Sequence, residues 1–264
     1  MIRAIAFDLW ETLITDTPEL SRRQERMRLE RIERILADHG HADIGERLER
    51  GYRDAWRRCH DLYWSGDRDV PCRKQIVHML DAIDIDPATF PEQSLALIEE
   101  AYAGAALEVL PAAVDGARET VGHLKSEGFR LGLISNTGRT PGSTLRGVLD
   151  RLGMASAFEA MVFSDEHGEC KPRRSIFENL RNQLDVGWNE MVFIGDNLYV
   201  DVHGAQRCGM RAVHFIPSVL GTAVAPLVSH ELEIVPDAVI RDLRELPGVI
   251  EGLDAGRVEL KIEN

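Results

Sequence analysis

The chain has few cysteines, no long apolar run and no surplus of positive charge, and each shortage closes off a class of protein. Its four cysteines, Cys59, Cys72, Cys170 and Cys208, have no CxxC spacing and no histidines at zinc-site intervals. They read as free thiols of a reducing compartment, which predicts a cytoplasmic protein. No uninterrupted apolar stretch approaches the roughly 18 residues of a membrane span. The first residues, Met1-Ile2-Arg3-Ala4-Ile5-Ala6-Phe7-Asp8, meet a charge too soon for the core of a signal peptide. Lysine and arginine number 31 against 44 aspartates and glutamates, a net charge of -13. That balance speaks against a nucleic-acid backbone as partner, which needs a basic face. It leaves room for a small anionic substrate, because a pocket can be locally basic on an acidic protein. With 264 residues, 44% hydrophobic and 28% charged, the chain can build one large globular domain or two modest ones.

What is present falls into two textures. Residues 2–7 are a short apolar run with β-branched members that stops at an aspartate, as a buried strand does. From about residue 19 arginine and glutamate dominate, with Leu29, Ile32, Ile35 and Leu36 on one helical face. Helical stretches follow over residues 44–63, 73–83 and 91–106, broken at Ser65-Gly66-Asp67 and over residues 84–87. No strand signal interrupts them, so residues 16–106 are expected to be a helical insertion after the first strand. Beyond Pro111 the pattern alternates. Helices are predicted over residues 113–128, near Leu145 and over 176–184, with strands at 130–134, 161–163, 191–194, 211–215 and 238–240. Alternation of this kind makes an α/β protein with a parallel sheet covered by helices on both faces.

In such sheets ligands sit at the carboxyl ends of the strands. The residues placed there are Asp8 and Thr12, then Ser135 and Asn136, then Asp165, then Gly195-Asp196, with Lys171 a little before a helix. Each has a bland alternative. Asp8 and Asp196 each follow a strand and suit a helix N-cap, Ser135-Asn136 suits a turn, and Lys171-Pro172 suits a solvated loop. Small, polar or acidic residues at four successive strand ends are better explained as one site.

The four strings Phe7-Asp8-Leu9-Trp10-Glu11-Thr12-Leu13, Leu133-Ile134-Ser135-Asn136, Lys171-Pro172 and Gly195-Asp196-Asn197-Leu198-Tyr199-Val200-Asp201 resemble, in order, the motifs of the haloacid-dehalogenase superfamily. The resemblance implies a Rossmann-like sheet domain formed by residues 1–15 and 107–264, and a helical cap of the smaller type over 16–106. It also implies a hydrolase with Asp8 as nucleophile and Thr12, Ser135, Asn136 and Lys171 around it. A carboxylate can attack phosphorus and split one hard step into two easier ones. Asp8 and Asp196 can hold a hard cation such as Mg2+, with the Trp10 backbone carbonyl and Asp201 as further partners. Thr12 and Ser135 offer hydroxyl donors, and Lys171 a point charge.

Three other features carry less. Cys170 sits beside the lysine but reads as a bystander. Arg22, Arg23, Arg26, Arg28, Arg31 and Arg34 are interleaved with Glu25, Glu30 and Glu33 at spacings of three and four, which suits a salt-bridged solvated face. Trp56, Tyr63 and Trp64 are expected in the core of the helical segment.

One departure bears on mechanism. Phosphatases of the superfamily usually carry a second aspartate two residues after the nucleophile, and here that position is Trp10. An indole N–H neither gives nor takes a proton near neutral pH, and losing a positioned acid or base costs on the order of 10²–10⁴-fold in rate. Glu11 is the nearest substitute, although side chains of successive strand residues point opposite ways. The superfamily's 2-haloacid dehalogenases also lack that aspartate and need no metal, but they carry serine where this chain has Asp196. A second carboxylate beside Asp8 calls for a cation between them. The favoured expectation is a Mg2+-dependent phosphatase, slow or restricted to good leaving groups, acting on a small phosphorylated metabolite. The alternatives are a dehalogenase-like hydrolase and a weakly active or non-catalytic binding protein.

Overall fold

The computed structural model describes residues 1–217 and 233–256. The remainder of the expected sheet domain, 218–232 and 257–264, lies outside the described residues. Strand β1 (Ala4–Phe7) is buried along its whole length, and β2 (Ile14–Thr15) follows after a turn. Four helices come next: α1 (Pro18–Asp38), α2 (Gly45–Leu62), α3 (Cys72–Asp81) and α4 (Glu92–Glu108). Then come β3 (Ala112–Ala113), α5 (Ala117–Ser126), β4 (Arg130–Ser135), α6 (Gly142–Arg151) and β5 (Ala160–Phe163). The chain continues through α7 (Ser164–His167), α8 (Arg174–Leu184), β6 (Met191–Gly195) and α9 (Gly204–Cys208). It closes with β7 (Arg211–Phe215), β8 (Ala238–Ile240) and α10 (Leu246–Asp254).

Six strands form one sheet in the order β5-β4-β1-β6-β7-β8, with every pairing parallel. Side chains alternate across it, as the two-residue period of a strand requires. Ile5 and Phe7 pack with α5, α6 and α10 on one face, while Ala4 and Ala6 pack with α8 and α9 on the other. Both faces are covered, which is why the strands read as continuous apolar runs. The chain leaves β1 through β4 and β5 on one side and returns through β6 on the other. The carboxyl ends of β1, β4 and β6 therefore border the point where the strand order reverses, where ligands bind in sheets of this kind.

Among the described residues no strand lies between Thr15 and Ala112, and α1–α4 bury a cluster of their own that includes Ile32, Leu48, Ile76, Met79 and Tyr102. The details depart from expectation at three places. The inward stripe of α1 is Gln24, Arg28, Ile32 and Leu36, a spacing of four. Arg28 is thereby buried among neutral acceptors, while the other five arginines of the helix are exposed or half-exposed. Trp56, Tyr63 and Trp64 lie outside the buried cluster; Trp56 is 39% exposed and its ring packs 4.5 Å from that of Trp64. The helix expected from residue 113 begins at Ala117 instead, because Ala112 and Ala113 pair antiparallel with Thr15 and Ile14.

Candidate active site

The centre of the site is a buried lysine between two carboxylates. The Asp8 backbone N–H donates to the Ile194 carbonyl at 2.8 Å, which carries the β1–β6 ladder one residue past the end of β1. Lys171 Nζ donates to Asp8 Oδ1 and, at 2.7 Å, to Asp201 Oδ1. The lysine is 2% exposed and Asp201 1%. An ammonium group taken out of water needs good ionic partners. Burial opposes its charge, but Asp201 and Asp8 together outweigh burial and hold its pKa above the ordinary value. The Phe193 ring, its centroid 5.3 Å from Nζ, forms part of the surroundings. Asn136 fixes the lysine from the backbone side: its Oδ1 accepts from Lys171 N at 2.8 Å and its Nδ2 donates to Lys171 O at 3.1 Å. The Lys171–Pro172 peptide is cis.

The segment after β6 supplies the other acids. A Cβ on Gly195 would lie 2.4 Å from the Asp201 carboxyl group, so only glycine allows that approach. Asn197 caps the turn that follows, accepting from Tyr199 N and Val200 N, while its own N–H donates to Asp201 Oδ2 at 3.0 Å. His214 Nε2 holds the Asp196 carbonyl at 2.9 Å. Neither Asp8 nor Asp196 acts as a helix N-cap; Asn197 takes that role. Oxygens of Asp8, Asp196 and Asp201 lie within 4.8 Å of one another. Burial pushes the Asp196 carboxyl up to about 8, with Asp8 and Asp201 adding to it, and burial pushes Asp8 up to about 6. Three carboxylates against one ammonium leave an excess of negative charge, and their hard oxygens suit a divalent cation of the magnesium type.

Thr12 and Ser135 are fully buried, and neither hydroxyl has a hydrogen-bond partner among the described residues. A buried hydroxyl without a partner costs about 1–3 kcal/mol, so these two are ready to take up a ligand oxygen. Trp10 is half-buried against the apolar cluster of one sheet face, and its backbone bridges to Ile14. Glu11 does not obey strand alternation. Strand β1 has already ended, and Glu11 is left-handed at φ 59, its carboxylate buried and accepting from Thr15 Oγ1 at 2.8 Å. Its charge is close enough to raise the pKa of Asp196. Asp165 stands apart from the acids and accepts from Gly142 N at 3.1 Å. Burial pushes the Cys170 thiol up, and all four cysteines are free and buried. Phe193, Asn197 and His214 were not singled out from the sequence; for Asn197 the signal was there, an N-cap residue directly after a strand.

A parallel sheet with an aspartate–lysine centre at its topological switch defines a class of α/β hydrolase, and comparison with known proteins gives the family. A model of the haloacid dehalogenase-like hydrolases matches residues 2–209, and the chain belongs to that family. It is 28% identical over 251 residues, 95% of this chain and 100% of the relative, to a ribulose-1,5-bisphosphate 5-phosphatase of Halopiger xanaduensis. It is 37% identical over 102 residues to a glyceraldehyde 3-phosphate phosphatase of Pyrococcus furiosus, 39% of this chain and 41% of that one. The fold is that of a 2-haloacid dehalogenase from Pseudomonas syringae, with a TM-score of 0.68 and 23% identity over 96% of this chain and 100% of that one. Among the described residues no helix is long and apolar enough to cross a membrane.

Proposed function

We propose that this hydrolase is a magnesium-dependent phosphatase working through an aspartyl-phosphate on Asp8. The observation that carries the reading is the convergence of Asp8, Asp196 and Asp201 on one point, with Lys171 bonded to two of them. Those three carboxylates and the Trp10 carbonyl would hold magnesium, which when bound supplies positive charge for the phosphoryl oxygens and the nucleophile. Lys171 keeps Asp8 ionised and oriented. Asp8 attacks phosphorus, the bond from phosphorus to the leaving oxygen breaks, and the electron pair departs with the leaving group. Thr12 and Ser135 donate to the phosphoryl oxygens, and Asn136 acts through its grip on the lysine backbone. Water then attacks phosphorus, the bond to Asp8 breaks, and the water proton leaves with phosphate.

The relatives' names favour a small phosphorylated substrate. Trp10 supplies no proton, so the preferred leaving groups are those that depart unprotonated, as from acyl and aryl phosphates. Residues 16–106 act as a helical cap over a hydrolase core of residues 1–15 and 107–264. In support, Gln75 Nε2 reaches the Gly138 carbonyl at 2.7 Å and Arg28 reaches Thr140 Oγ1 at 3.1 Å, both on the loop after β4.

Hydrolysis of acetyl phosphate with and without magnesium, and mass spectrometry of the quenched enzyme, test the proposal. Turnover should need the metal, and one phosphoryl group should be found on the peptide containing Asp8 and be absent from Asp8→Asn. Release of halide from 2-chloropropionate in a chelator, with no phosphate released from acetyl phosphate, would instead establish the dehalogenase reading.

A further inference from the structure

Two guanidinium groups are enclosed where the helices meet the loop after β4, and among the described residues neither forms an ion pair. Arg28, 4% exposed, turns its donors on neutral acceptors: Nε on the Tyr102 carbonyl at 2.8 Å, Nη1 on Tyr52 Oη at 3.4 Å and Nη2 on Thr140 Oγ1 at 3.1 Å. Arg139 is half-buried and stacks on aromatic rings, its guanidinium carbon 3.6 Å from the Tyr52 centroid and 4.7 Å from that of Trp56. The carboxylates whose fields reach the pair are Glu25 for Arg139 and Asp16 for Arg28. Enclosing one cation without a bonded counter-charge is costly, and two that share Tyr52 and Tyr102 also repel each other.

The unused donors of Arg139 form a specific edge. Among the described residues its hydrogen bonds all come from Nη1, to the Tyr52 carbonyl at 3.3 Å and to Tyr102 Oη at 3.1 Å. That leaves Nε and Nη2, the side-on pair of a guanidinium, which matches the two oxygens of a carboxylate or phosphate. Stacking holds the fork in one plane, so its donors are already oriented. Arg139 lies four residues beyond Ser135 and three beyond Asn136, on the same loop that grips Lys171. It therefore stands on the ligand side of the sheet, at the seam with the helices.

We propose that Arg139, backed by the charge of Arg28, receives a second anionic group of the substrate, at the end remote from the phosphoryl group held at Asp8. This rests on the phosphatase reading and narrows it: the substrate class becomes small activated phosphates that also carry a carboxylate or a second phosphate.

Binding and turnover separate the two ideas. Calorimetry on the full chain in magnesium compares alkylphosphonates with their ω-carboxylated counterparts over a short series of chain lengths. At the fitting length the carboxylate should tighten binding about 10- to 100-fold, the range a charge-assisted bond to a charged group supports. Arg139→Gln should bring that ratio close to one. Arg139→Lys, which keeps the charge and loses the fork, should fall between, and serves if the glutamine variant does not fold. In kinetics, succinyl phosphate should have a lower KM than butyryl phosphate, which carries a methyl group in place of the carboxylate, with kcat little different. Equal binding of the two phosphonate classes at every length, or a ratio that survives in both variants, overturns the subsite and leaves Arg139 as a clamp between helices and sheet. Discrimination in binding with neither acyl phosphate hydrolysed supports the subsite and refutes the phosphatase reading. Hydrolysis of both at equal kcat/KM does the reverse.

Discussion

Replacing Asp69 with alanine removes one buried carboxylate that four donors share across the seam. Its Oδ1 accepts from Trp64 Nε1 at 2.7 Å and Val70 N at 2.8 Å, and its Oδ2 from the hydroxyls of Ser164 and, at 3.1 Å, Thr137. The backbone link between the same segments, Asp69 N to the Gly168 carbonyl at 3.0 Å and Cys170 N to the Asp67 carbonyl at 2.9 Å, is untouched by the change. The hydroxyls of Ser164 and Thr137 are 3.4 Å apart and can turn to each other, so not every donor is stranded. With each stranded buried donor costing about 1–3 kcal/mol, the expected loss is about 3–5 kcal/mol. For a chain of this size that lowers the melting temperature on the order of 10 °C. Asparagine should behave differently. Its oxygen can face Trp64 and Val70, its NH2 can face the hydroxyls, and they rotate to accept. Burial also pushes the Asp69 carboxyl above its ordinary value, the four donors notwithstanding. The folded state then holds a proton that the unfolded chain releases, so stability from this group is lost as pH rises past about 4. Asp69→Asn should therefore gain on the wild type as pH rises from about 4. Circular-dichroism melts across that range give the numbers, and hydrogen exchange at the Thr137 amide, which donates to Ser164 Oγ at 2.9 Å, reports the seam directly. Alanine costing under about 1 kcal/mol, or asparagine as damaging as alanine, would refute the reasoning.

Asp8, pushed up to about 6, and Asp196, to about 8, give the metal-free protein a stability that falls as pH climbs between roughly 4 and 8. Magnesium at about 100 times its Kd should add about 2.7 kcal/mol and flatten that slope; identical melting curves with and without it would remove the metal from the account. Lys171→Met strands Asp8 and Asp201, so turnover should drop about 10²–10³-fold, and melting should suffer more at pH 8 than at pH 6; a drop below tenfold would separate the lysine from the reacting carboxylate. Trp10→Asp should raise kcat/KM on alkyl phosphates relative to acyl phosphates by about 10²–10⁴-fold; an unchanged ratio assigns the proton to another group, with Glu11 the first to test.

The sheet was legible because its strands are buried on both faces and stop at polar residues, a signal that survives in a short window. The positions of Asp8 and Asp196 followed from where those strands end, while Lys171 and Asp201 were marked by the resemblance of their motifs, and the structure brings the four together. What escaped were features made by long-range contact. Two-residue strands such as β2 and β3 have no period to detect. Arg28 looks like its solvated neighbours along α1 until its neutral acceptors on Tyr102, Tyr52 and Thr140 are known. Glu11 is a poor candidate for a left-handed conformation by residue type, and it is held by the turn's bonds from Glu11 N to the Ile14 carbonyl and from Ile14 N to the Leu9 carbonyl, which a sequence does not display. Asp69 carries no motif at all.

Ile14 pairs with Ala113 and Thr15 with Ala112, so the chain leaves the sheet region and comes back to it at one place. Ladder partners of an antiparallel pair sit about 5 Å apart. Seen from the sheet, everything between them is a single loop with its ends already joined, and a tight hairpin turn spans the same gap. In terms of inheritance the helices are a cassette. They can be lengthened, exchanged for another fold or dropped without changing the order β5-β4-β1-β6-β7-β8, so the insertion can diverge while the strand ends that carry Asp8, Ser135 and Asp196 stay put.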